Sequence, residues 1–132
     1  ISMTATTNGN TAHLPPDEKA EVDRLIQFLE DQRRDRDRVR MAGVGSLKVL
    51  VDIALGHTGQ CRVVGRFLLG LYSGPQYRFD LTDLRMLDAA VHEHCIKVLW
   101  LDHTLEREIE KHITDGEAIW QQLISMWGRN DD

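Results

Sequence analysis

Long apolar runs are the first thing this sequence does without. No stretch approaches the roughly 18 consecutive apolar residues of a membrane span, and no basic start followed by an apolar centre marks a signal peptide. Both absences lead us to expect a cytoplasmic protein with no membrane attachment. Cysteine is scarce: Cys61 and Cys95 are the only two in 132 residues, and each lies among apolar neighbours with helical spacing. That is where a reduced thiol packs as a small hydrophobe, so no disulfide is expected. With three prolines, 42% hydrophobic and 28% charged residues, the chain is neither fibre nor disordered polymer. An excess of basic charge is missing too. A net charge of -5 counts against a protein built mainly to cover nucleic-acid phosphates, although it leaves room for a local basic face. Finally, no period-two alternation bounded by hairpin turns and no repeat of about 20 to 50 residues is visible, which removes sheets and solenoids.

What remains is an all-α protein: a compact bundle of five or six helices over residues 15–128, behind a disordered tail over residues 1–14. The opening ISM reads as a cloning remnant before an initiator Met3, followed by a Thr/Asn/Gly-rich run with little to bury. Pro15 and Pro16 mark a helix start, and Asp17 and Glu18 suit its positive end. Val22, Leu25, Ile26 and Leu29 recur on one helical face, but no apolar residue stands between Leu29 and Val39, so the second half of this helix should be exposed. Gly43 and Gly45 are expected to break the pattern, with Ser46 capping a second, central helix from Leu47 to Leu55. Thr58 should cap a helix that ends at Ser73-Gly74-Pro75, with Gly65 and Gly70 as small positions for close packing. The run FDLTDL begins a long helix to about Leu101, capped by Asp80 and carrying Leu84, Leu87, Val91, Cys95, Val98 and Leu101 as a packing seam. Phe79 and Leu84 have the spacing of a hydrophobic staple around that start. Thr104 is a cap for a short helix, and Thr114 to Glu117 has the spacing of a capping box for a last one.

The segments TGQCRVVGRFLLGLYSG and FDLTDLRMLD, within residues 58–88, resemble a family of short uncharacterised proteobacterial proteins, a domain of unknown function often met on plasmids and integrated elements. The resemblance extends over most of residues 46–127. It implies a bacterial, cytoplasmic setting and no activity or catalytic residue.

Four constellations bear on chemistry. His92, His94, Cys95, His103 and His112 crowd together with Glu93, Asp102 and Asp115, and a helix would bring His92 and Cys95 to one face as zinc donors. There is no second pair at CxxC or HxxxH spacing, so we assign no metal and no cofactor. Arg33, Arg34, Arg36, Arg38 and Arg40 can grip phosphates, but Asp31, Asp35 and Asp37 are interleaved, and pairing of Asp31 with Arg34 or Asp35 with Arg38 makes a self-compensated solvated face. Residues 47–72 have the proportions of a helix-turn-helix, which would place Gln60, Arg62 and Arg66 at the start of a recognition helix. No nucleophile elbow or Walker loop appears, and GVGSLK lacks the strand that a phosphate loop needs, so no enzyme is expected. Large aromatics near helix ends, Tyr72, Tyr77, Trp100, Trp120 and Trp127, are the commonest kind of interface anchor, though each can equally complete the core. The reading favoured is a binding module for a protein partner, or for a second copy of itself as a homo-oligomer, with DNA binding through residues 47–72 as the alternative.

Overall fold

The computed structural model describes residues 13–104 and 106–129; the tail expected over residues 1–14 lies, up to residue 12, outside them. Among the described residues all regular structure is helical, in keeping with the all-α expectation. Helix α1 runs Pro16–Ala54, α2 Gly59–Tyr72, α3 Ala89–His103 and α4 Gly116–Trp127, with single 3-10 segments at Leu81–Met86 and Ile109–His112. The chain divides into two compact units, Ile1–Asp37 and Arg38–Asp132, with the boundary inside α1.

Helix α1 begins as its proline and acidic first turn dictate, with the Lys19 amide donating to the Pro15 carbonyl at 2.9 Å. It does not break at Gly43 and Gly45. No glycine among the described residues has positive φ, so both sit in ordinary helical backbone. Their role is packing. A Cβ on Gly43 would stand 2.5 Å from the Leu101 Cβ and 3.1 Å from the Lys97 carbonyl oxygen, so glycine lets α3 lie directly on α1. Ser46, expected as a cap, is instead a buried mid-helix residue whose hydroxyl shares a hydrogen bond of 2.8 Å with His94 Nδ1.

The core of the second unit forms where four helices converge. Leu47, Leu50, Val51 and Ala54 of α1 meet Val64, Phe67 and Leu68 of α2, Val91, Cys95, Val98 and Leu101 of α3, Ile109, and Trp120 and Leu123 of α4. Helix α2 starts as read, with the Thr58 hydroxyl accepting from the Cys61 amide at 3.3 Å, and stops at Ser73. Asp80 also caps as read, accepting from the Thr82 amide at 2.9 Å. The long helix expected from Asp80 to Leu101 is nevertheless two elements. Leu87 is extended, and the Asp88 amide donates to Gln60 Oε1 at 2.6 Å, so a side chain from α2 takes the proton a continuous helix would have given to a backbone carbonyl. Thr104 terminates α3 where a helix start was expected, its hydroxyl donating to the Leu101 carbonyl at 2.7 Å. The expected capping box at Thr114 does not form either: Asp115 precedes α4 in the left-handed region at φ 58° with no side-chain cap bond. Gly116 follows because its backbone abuts the Glu110 carbonyl, leaving no room for a Cβ.

Candidate functional site

Helix α3 is apolar on two sides. Val91, Cys95, Val98 and Leu101 form the buried seam, and the sequence spacing had placed these four together. The opposite face carries Ile96, Leu99, Trp100 and His103, again at helical spacing, and this one is open. Trp100 is 59% exposed, with the His103 ring edge-on to it at 6.0 Å between centroids. Its indole is a ridge between two shallow depressions. One of about 250 Å³ is lined by Val39, Ala42, Lys97 and Trp100, the other of about 380 Å³ by Ile96, Leu99, Trp100 and His103. A large aromatic between apolar hollows, with a lysine stem and an imidazole at its rim, can seat an apolar side chain and cover it with a ring.

The other four aromatics proposed as anchors are placed differently. Trp120 is 0% exposed and donates from Nε1 to the Leu68 carbonyl at 3.3 Å, which makes it a core residue and corrects its assignment to a surface. Trp127 is half-buried, lies against Gly65, and donates from Nε1 to the Ala54 carbonyl at 2.8 Å, closing the end of α1. Tyr72 and Tyr77 both lean on the core. The Tyr72 hydroxyl donates to Glu117 Oε1 at 3.2 Å, and the charge of that carboxylate holds the phenol above its ordinary pKa.

Residues grouped as nucleic-acid contacts do not share one surface duty. Gln60 is engaged by Asp88 through both ends of its amide, donating from Nε2 to Oδ2 at 3.4 Å as well as accepting at Oε1. Arg66 donates to the Arg129 carbonyl at 2.8 Å, while Arg62 is half-buried. Because Cys61, Val63, Val64, Gly65, Phe67, Leu68 and Leu69 are all buried, α2 is enclosed along most of its circumference. Arg33, Arg34 and Arg36 are exposed on α1, and Arg34 pairs with Asp31, one of the pairs that charge interleaving leads one to expect.

The histidine and cysteine group is dispersed. His92 is exposed, His94 is held by Ser46, and His103 faces Trp100. Cys95 is fully buried, and burial pushes its thiol up to about 12, far from the thiolate a metal requires. Cys61 and Cys95 are both free thiols. Among the described residues no three His, Cys, Asp or Glu side chains converge on a point that would hold a metal ion. Sequence reasoning missed a third depression of about 470 Å³, lined by Arg40, Met41, Val44, Gly45, Lys48, Arg107 and His112. Its cations come from segments some sixty residues apart, so no local motif announces them, and Arg40 is paired there with Glu106 at 3.4 Å. His112 is held below its ordinary pKa by burial and by Arg107.

Fold and surface together define a small all-helical domain with an open apolar patch on the outer face of α3. Residues 44–128 match the model of a family described as a family of unknown function, DUF7673. The chain belongs to that family. No curated protein and no solved structure matches it.

Proposed function

We propose that this chain is a small non-enzymatic binding module whose ligand is another protein, held on the outer face of α3. The observation that carries the proposal is Trp100, a tryptophan exposed at 59% between two apolar hollows where the other two tryptophans are built into the fold. Exposing an indole forfeits its burial energy, and tryptophan is the residue most enriched at the centres of interfaces. Leu99, 39% exposed, extends the same patch. The partner it suits presents one or two apolar side chains, from a helix or an extended segment, to the two hollows. The resemblance of residues 58–88 to short proteobacterial proteins supports a bacterial cytoplasm, and a plasmid or integrated element, as the setting. DNA binding through residues 47–72 draws less support, because Gln60 and Arg66 are engaged within the chain and α2 is enclosed.

The test is co-purification from the native cells with and without nuclease, reading proteins by mass spectrometry and nucleic acid by sequencing. A protein that survives nuclease and is lost with Trp100→Ala supports the reading. A defined nucleic acid, recovered with Trp100→Ala as well and lost with nuclease, replaces it with the alternative.

A further inference from the structure

Residues 16–37 of α1 carry an apolar stripe of their own. Val22, Leu25, Ile26 and Leu29 lie at spacings of three and four, with Phe28 beside them; Leu25 is 57%, Phe28 55% and Leu29 50% exposed. Most of a helix's stability in a protein comes from packing its amphipathic face, and these residues fall in a unit separate from the one that holds the core. Charge along the helix says what fits that stripe. Residues 17–31 hold six carboxylates against two cations, whereas residues 32–37 hold three arginines against two aspartates. A copy laid parallel would set acid on acid and base on base; laid antiparallel, it sets acid on base.

We propose that two copies of this chain pair through residues 16–37, antiparallel. Setting Leu25 level with Leu29 of the second copy places Ile26 beside Phe28. The same register brings Glu18 level with Arg36, Lys19 with Asp35, Glu21 with Arg33 and Arg24 with Glu30, opposed by Asp17 with Asp37 and Asp23 with Asp31. Glu18 and Arg36 share the helical face of Val22, Leu25 and Leu29, so an ion pair closes each end of the apolar centre. Gln27 and Arg34, which both bond to Asp31 within the chain, need take no part. This interface is separate from the Trp100 face, and either proposal can fail alone.

The test is sedimentation equilibrium of the full chain over a range of concentrations, with three sets of variants. A dimer is expected, weakened about tenfold or more by Glu18→Arg with Glu21→Arg, and restored when Arg33→Glu and Arg36→Glu are added to the same chain. Mixing chains carrying Glu18→Cys with chains carrying Arg36→Cys should yield the mixed disulfide under mild oxidation. The proposal is overturned by a monomer at every concentration, by preferential bridging of Glu18→Cys chains to one another, or by a charge swap that fails to restore pairing. It is overturned also by a dimer that survives Leu25→Asp with Leu29→Asp but is lost with Trp100→Asp, a result that would move self-association to α3.

Discussion

Two alanine substitutions two residues apart should move stability in opposite directions. At Gly45 a Cβ would meet nothing within 4 Å, and the backbone there is ordinary helix. Alanine should therefore gain the helical propensity that glycine lacks, roughly 0.5 to 1 kcal/mol. At Gly43 the same gain is opposed by overlap with the Leu101 Cβ at 2.5 Å and the Lys97 carbonyl oxygen at 3.1 Å. Neither atom can rotate away, because one is backbone and the other is fixed to it, so α1 and α3 must separate. Overpacking of this kind costs about 1 to 3 kcal/mol, which leaves a net loss of up to about 2.5 kcal/mol after the propensity gain. For a unit of this size each kcal/mol moves the midpoint by about 4 to 8 °C, so thermal melts followed by circular dichroism should separate the variants clearly. A lower Tm for Gly45→Ala would mean that the helix does break there, and a higher one for Gly43→Ala that α3 does not rest on it. Either result refutes the packing described.

Trp127→Phe keeps a ring against Gly65 but loses the indole donor to the Ala54 carbonyl, and should cost about 1 to 3 kcal/mol in chemical denaturation, whereas an unchanged midpoint would show the bond to be dispensable. Cys95, with its thiol pushed up to about 12 and no exposure, should resist alkylation in the folded protein and react only on unfolding; rapid labelling by a small disulfide reagent at neutral pH would contradict the burial. His112 titrates below its ordinary value, so the unfolded chain takes up its proton first as pH falls. Its contribution to stability is complete above about pH 6.5 and declines below it, and should be seen as a falling Tm that His112→Gln removes; a slope identical in that variant would assign the loss to other groups.

Local chemistry made much of this fold legible. The caps at Thr58 and Asp80, the start at Pro16 and the seam from Val91 to Leu101 are written in residues within a turn or two of where they act. The errors came where a distant segment decided. Gly43 and Gly45 read as breakers until α3 supplied a reason for the first, and the division before α3 depends on Gln60, which lies 28 positions from Asp88. The turn into α4 follows from backbone contact with Glu110, which no cap pattern encodes. The candidate site was half legible. Trp100 stood out as a large aromatic, and a second stripe at Ile96, Leu99, Trp100 and His103 was there to be counted, but the dominant seam on the opposite side of α3 drew the reading. What separates Trp100 from Trp120 is burial alone, and that is fixed by which helix each one faces.

The most direct measurement is the affinity of the purified chain for any protein recovered by the proposed co-purification, compared between the unaltered chain and Trp100→Ala by titration calorimetry. A central tryptophan anchor is worth about 2 kcal/mol or more, so binding should weaken by roughly thirtyfold or more while the Tm stays where it was. Equal affinity for the two chains would contradict the account and move the binding surface away from α3.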